Sequence, residues 1–198
     1  IGWTNTEKNM PAWGAKNGHL GNNPLVFAVP FGDEAIVLDF AMTQFSYGKM
    51  EAVELEGKKL PFAGGFNNNG ELTTNPGEIL EARRPLPIGF WKGAGLSLLL
   101  DILATILSAG LSTHKLSELE AEYGVSQVFI AIDIKKLSNF PAIENTIADI
   151  ITDLKESTPA ETGAEIRYPG ERVVQTRADN LKDGIPVIKK VWEEILEL

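Results

Sequence analysis

Gly89-Phe90-Trp91-Lys92-Gly93-Ala94-Gly95-Leu96-Ser97-Leu98-Leu99-Leu100-Asp101-Ile102-Leu103-Ala104-Thr105-Ile106-Leu107-Ser108 is the stretch on which the fold of this chain turns. Leu96, Leu99, Leu100, Leu103, Ile106 and Leu107 occupy most of the circumference of a helix, which predicts a helix buried in a core and ended by Gly110. The glycines ahead of it raise the question of a phosphate site. Gly93-x-Gly95 lacks the third glycine and the preceding strand of the dinucleotide fingerprint, so a Rossmann reading fails its context. A Walker loop fails too, because no G-x-x-x-x-G-K-[ST] is present. What remains is a helix start whose unpaired N–H groups and positive end attract anions. Lys92 adds a mobile cation there, and Trp91 a flat face for a planar ring. Plain packing of a glycine-rich turn is the alternative.

Upstream, Leu25–Pro30 and Ala35–Phe40 are short apolar runs joined by Phe31-Gly32-Asp33-Glu34. They predict a hairpin of two strands covered on both faces, with the Asp39 carboxylate at the end of the second. Residues 41–55 predict a helix with Met42, Phe45, Met50 and Val53 inward. Residues 57–87, rich in glycine and proline and holding Asn67-Asn68-Asn69-Gly70 and Asn75-Pro76-Gly77, predict a long surface loop. Residues 1–24 predict irregular backbone, although Ile1–Asn5 reads as the end of a strand. The opening Ile1, with no signal-peptide pattern after it, gives the expectation of a segment cut from a longer enzyme.

Downstream, Gln127–Ile134 predicts a strand. Pro141 suits the first turn of a helix continued by Ile143, Ile147, Ile150, Ile151 and Leu154. Ala164–Tyr168 predicts a short strand, and helices follow near 175–183 and 186–197. There is no internal repeat and no compositional boundary, so 1–198 is read as one region of mixed α/β (α+β) class.

Composition narrows function. With 43 % apolar and 23 % charged residues the chain can bury a core. A net charge of −9 and no Lys/Arg-rich run argue against nucleic acid, which needs a basic face. With no cysteine, disulfides, thiolate zinc sites and cysteine nucleophiles are excluded, and a reducing, cytoplasmic setting is expected. The apolar run Leu96–Leu100 is too short to span a bilayer, so no membrane partner is expected. His19 and His114, the only histidines, lie in or beside loops, and no metal site is expected. No G-x-S-x-G elbow surrounds Ser46 or Ser97. Arg167-Tyr168-Pro169-Gly170-Glu171-Arg172 suits binding of sugar hydroxyls and phosphates, or equally a surface turn with weak ion pairs.

Asn23-Pro24-Leu25 leading to Pro30, Asp39, Phe45-Ser46-Tyr47-Gly48, Leu60-Pro61, Pro87-x-Gly89-x-Trp91-Lys92-Gly93-x-Gly95 and Arg167-x-Pro169-Gly170-Glu171 occur in that order. In this the chain resembles the malate/L-lactate dehydrogenase family, whose fold is not Rossmann. The resemblance implies a largely antiparallel or mixed sheet flanked by helices, and a homodimer that reduces small 2-oxo acids with NADH or NADPH. Many members have Gly-Gly-x-Lys-Gly where this chain has Gly89-Phe90-Trp91-Lys92-Gly93, and the tryptophan form points to a 2,3-diketo sugar acid as substrate. The resemblance also places the cofactor on Ala35, Ile36, Val37, Leu38, Asp39, Phe40, Ala41, Trp91, Lys92, Gly170, Glu171 and Arg172. It puts the proton donor in an upstream Ser-His-Gly segment, matched by neither histidine here, so no catalytic residue is expected among these 198. Asp39 leans toward NADH, since a ribose 2′-hydroxyl prefers a carboxylate.

Overall fold

The computed structural model describes residues 1–198, Pro141 by its backbone alone. Its elements are, in order, β1 (Gly2–Thr4), β2 (Met10–Pro11), β3 (Gly18–Leu20), β4 (Leu25–Phe31), β5 (Glu34–Phe40), α1 (Tyr47–Leu55), β6 (Gly65–Phe66), β7 (Leu72–Thr73), α2 (Pro76–Ala82), α3 (Trp91–Ser108), α4 (Thr113–Leu116), β8 (Gln127–Phe129), a 3-10 turn (Ile134–Lys136), α5 (Phe140–Lys155), α6 (Glu171–Asp183) and α7 (Lys189–Leu196). Its contacts divide it into two compact units, one of residues 1–26 and 39–129, the other of residues 27–38 and 130–198. The dividing points fall inside β4 and β5 and just after β8, where composition does not change.

The first unit is built on β1, which pairs antiparallel with the root of β4 (Gly2 opposite Val26) and with β8 (Trp3 opposite Val128). The four-stranded sheet runs in the order β5-β4-β1-β8. Trp3, Met10, Leu25, Met42, Leu100 and Ala104 form its core, with Phe40 and Ile88 packed against it. A second cluster, Met50, Val53, Leu60 and Ile79, lies between α1 and α2. Both of those helices start on side-chain caps: Ser46 accepts the Lys49 N–H at 3.2 Å, and Asn75 accepts the Gly77 N–H at 3.1 Å. The loop expected over 57–87 is therefore partly ordered, because Asn75-Pro76 caps and starts α2 and Gly65–Phe66 pairs with Leu72–Thr73.

Buried polar side chains tie α3 into this unit. The Trp3 indole donates to the Leu100 carbonyl at 3.1 Å. Asn23, forced to a positive φ of 24° and fully buried, donates to the Ser97 carbonyl at 2.9 Å. Asp101 accepts the Asn5 amide and the Thr113 N–H, each at 2.8 Å. By length and composition alone α3 could cross a membrane. Its inner face is Gly93, Ala94, Ser97, Leu100 and Ala104.

Two expectations of burial do not hold. The outer face of α3 is open: Leu99 is 56 % exposed and Ile106 65 %. Small residues let α3 approach the sheet closely on one side, and the other side is left largely open among the described residues. Phe27, Val29, Val37 and Leu38 are likewise exposed, so the β4–β5 hairpin is not covered on both faces. Two strands are also corrected. β8 ends at Phe129, well before Ile134, and residues 164–168 join no sheet. In the second unit α5 starts at Phe140, placing Pro141 in its first turn, and α6 and α7 are close to the expected helices.

Candidate functional site

In the first unit, the end of β5 and the start of α3 lie side by side although some fifty residues separate them in sequence. The Ile88 N–H donates to the Met42 carbonyl at 2.8 Å, and Thr43 bridges Pro87. This places the segment after Asp39, Phe40 and Ala41 beside the one entering Trp91 and Lys92. Gly89 (φ 58°) and Phe90 (φ 60°) turn the chain sharply into the helix, and the Phe90 ring rests on Trp13 with centroids 5.0 Å apart. A Cβ on Gly93 would lie 2.2 Å from the Ile88 carbonyl oxygen, so only glycine fits there.

The anion-binding role expected of the helix start is narrowed by this geometry. The N–H groups of Lys92 and Gly93 already donate to the Gly89 and Ile88 carbonyls, at 3.3 and 2.9 Å. An anion there would be held chiefly by the Lys92 ammonium, which is exposed. Trp91 stands 66 % exposed, an unusual cost for so large an apolar ring unless something stacks on it.

In the second unit, Ala35, Ile36, Val37 and Leu38 of β5 meet the turn ahead of α6. The Val37 N–H donates to the Pro169 carbonyl at 3.1 Å. Gly170, at φ +87°, comes so close that an added Cβ would sit 3.1 Å from both the Val37 nitrogen and oxygen. Glu171 accepts the Tyr168 N–H at 3.2 Å and the Lys155 ammonium at 2.5 and 2.6 Å. The hydrogen bond from Lys155 holds the Glu171 carboxyl below its ordinary pKa, against a smaller opposing effect of burial. Its charge is thus engaged within the chain, whereas Arg172 is exposed. Arg167 pairs with Glu165.

Sequence reasoning missed Lys155 as the partner of Glu171. They are sixteen residues apart on different helices, and only the packing of α5 against the 168–171 turn reveals the pair. Both histidines are exposed and engaged locally: His19 with Asn17 at 2.9 Å, His114 with Lys8 at 3.2 Å and Glu118 at 3.3 Å. Tyr47 is buried enough to push its pKa up to about 12, and its hydroxyl donates to the Asn9 carbonyl at 2.5 Å.

A family model described as malate/L-lactate dehydrogenase matches residues 1–196. The 2,3-diketo-L-gulonate reductases of Escherichia coli strain 536 and Salmonella paratyphi A are each 42 % identical over the whole of this chain. The chain spans 60 % of the length of these curated relatives. Among solved structures, malate dehydrogenase from Pyrococcus horikoshii OT3 superposes with TM-score 0.81 at 30 % identity, covering 99 % of this chain and 55 % of that one. Sulfolactate dehydrogenase from Methanocaldococcus jannaschii gives 0.80 at 28 %, covering 99 % and 57 %.

Proposed function

Since this chain belongs to the malate/L-lactate dehydrogenase family, we propose that it serves the nicotinamide-dependent reduction of 2,3-diketo-L-gulonate to 3-dehydro-L-gulonate. The observation that carries the reading is the start of α3. There an exposed Trp91 ring and a Lys92 cation with no ion pair among the described residues stand at a turn that only glycine at position 93 permits. These groups fit a dinucleotide, which presents planar rings and a doubly anionic pyrophosphate.

When bound, the reduced nicotinamide supplies a hydride to C2 of the 2-oxo acid. Lys92 binds phosphate oxygen as a point charge. Trp91 offers its face to a ring and keeps water from one side of it. Asp39, Phe40 and Ala41 lead into Met42, whose carbonyl is bonded at the foot of that turn, and Asp39 would accept from a ribose hydroxyl, which favours NADH over NADPH. In the second unit, Val37 and Leu38 offer exposed apolar strand surface beside the half-buried Ala35 and Ile36. Gly170 permits close backbone approach, Glu171 holds the turn, and Arg172 is a second exposed cation. The proton that neutralises the developing alkoxide is assigned to neither His19 nor His114, since both are engaged elsewhere. The reading includes a homodimer in the cytoplasm, on the family resemblance and the absence of cysteine.

A related reading keeps the chemistry and changes the acid, supported by the likeness to malate and sulfolactate dehydrogenases. An assay on the whole protein, following loss of reduced nicotinamide, separates them. The expected result is that 2,3-diketo-L-gulonate is turned over faster than oxaloacetate, pyruvate or sulfopyruvate. Preference for one of the last three overturns the substrate and leaves the family chemistry standing.

A further inference from the structure

Asparagine is followed by glycine twice in the chain, at Asn17-Gly18 and at Asn69-Gly70. Such a pair carries its own chemistry. The glycine backbone nitrogen can attack the side-chain amide of the asparagine, and no Cβ on the glycine obstructs the approach. The two pairs lie in opposite surroundings.

Asn69-Gly70 is held shut. The Gly70 N–H donates to the Asn67 carbonyl at 3.0 Å, and the Asn67 side-chain oxygen accepts the N–H groups of Asn69 and Glu71, each at 3.0 Å. The nitrogen that would attack is therefore spent inside a hydrogen-bonded turn. Neither histidine serves this pair, since His19 bonds to Asn17, and His114 to Lys8 and Glu118.

Asn17-Gly18 differs on each count. It lies where the chain enters β3, and Asn17 is exposed. The ladder there is loose: Gly18 stands opposite Pro11, which has no N–H to give, and the register shifts between Met10 and Pro11. His19 holds its Nε2 2.9 Å from the Asn17 Nδ2. That nitrogen is the one that must leave, and the spacing is within the reach of a general acid. An imidazole exchanges protons readily near neutral pH. Lys16, exposed at the preceding position, favours the carboxylate that results.

We propose that Asn17 is a self-modifying site, converted to aspartate or isoaspartate with His19 as the proton donor. The Gly18 N–H proton passes to solvent and the Gly18 nitrogen bonds to the Asn17 Cγ. The Cγ–Nδ2 bond breaks as Nδ2 takes a proton from the His19 imidazolium and departs as ammonia, and the imidazole regains its proton from solvent. Water then opens the cyclic imide at one of its two carbonyls. Nothing is oxidised or reduced; water is consumed and ammonia released. One amide becomes one carboxylate, so a chain of net charge −9 becomes −10. The new charge appears on the connection that carries Trp13, whose ring packs on Phe90 at the entry to α3. The isoaspartate form also adds a methylene to the backbone at the start of β3. The site stands whether or not the reductase reading holds.

The test is incubation of the full 198-residue chain at physiological temperature and neutral pH in water enriched in heavy oxygen. Peptide mapping by mass spectrometry then reads the exchange of ammonia for water at each asparagine separately. Asn17 is expected to convert faster than Asn69 in the same sample. His19→Gln is expected to slow Asn17 about tenfold, a modest share of the roughly 10²–10⁴ that positioned proton donors supply, and to leave Asn69 unchanged. Gly18→Ala, whose added Cβ would meet the Met10 nitrogen at an ordinary 3.5 Å, is expected to slow Asn17 with His19 still in place. Amide NMR spectra establish that both variants fold, and the comparison of Asn17 with Asn69 in the unaltered chain needs no variant. No conversion at Asn17, a faster rate at Asn69, or a rate at Asn17 indifferent to His19→Gln in the folded chain would each overturn the proposal.

Discussion

Three glycines near the candidate cofactor segments have different physical duties, and substitution separates them. Gly93→Ala drives a methyl to 2.2 Å from the Ile88 carbonyl oxygen, a backbone atom that cannot swing away. A loss of about 1–3 kcal/mol is expected from such overpacking. Gly170→Ala meets both a φ of +87° and the Val37 backbone at 3.1 Å, and is expected to cost a similar amount. Gly95, inside α3 with nothing within 4 Å of an added Cβ, is the control: alanine there should stabilise by about 0.5–1 kcal/mol. Denaturant melts of the three variants check the order, and equal losses at positions 93 and 95 would contradict the close approach. Gly93 and Gly95 look alike in sequence; only the position of Ile88 tells them apart.

At the scale of elements, α3 shows what periodicity can and cannot convey. Its existence and length were legible, because leucine and isoleucine recur through a stretch without proline. Its burial on all sides was not, because apolar residues around a whole helix do not say which of them this chain itself covers. Leu100→Ala, at a site 5 % exposed, is expected to cost about 2–5 kcal/mol. Ile106→Ala, at a site 65 % exposed, should stay within about 0.5 kcal/mol. Comparable losses at both in thermal melts would mean that the outer face is covered. The hairpin Leu25–Phe40 was legible from two apolar runs around Gly32-Asp33, whereas β6, β7 and α2 were hidden by glycine and proline that serve there as cap and turn. The 168–171 turn adds a pH dependence. Because Lys155 holds the Glu171 carboxyl below its ordinary pKa, the contribution of the pair is present above the ordinary carboxylate range and fades as pH falls through the lowered value. Both side chains are partly exposed, so Glu171→Gln is expected to cost no more than about 1 kcal/mol at neutral pH and to flatten the acid limb of a stability profile. An unchanged acid limb would remove the pair from that role.

Across the whole molecule, β5 supplies residues to both compact units, and each unit brings a second motif to its own part of the strand. The ordered motifs were legible in sequence as a family resemblance. What each residue does was less so: Asn23 proves to be a buried anchor of α3, and Glu171 is engaged by a lysine no spacing rule would select. The division into units was not legible, since it falls within strands of uninterrupted apolar character. The most direct test of the cofactor assignment is NADH titrated into the isotope-labelled chain, with amide and indole resonances mapped by NMR. The expected result is saturable shifts at residues 35–41, 91–92 and 170–172, with Lys92→Ala weakening binding by about ten- to a hundredfold, the loss of one charge-assisted phosphate contact. Saturable binding whose shifts fall elsewhere in the chain, with affinity indifferent to Lys92, would contradict it.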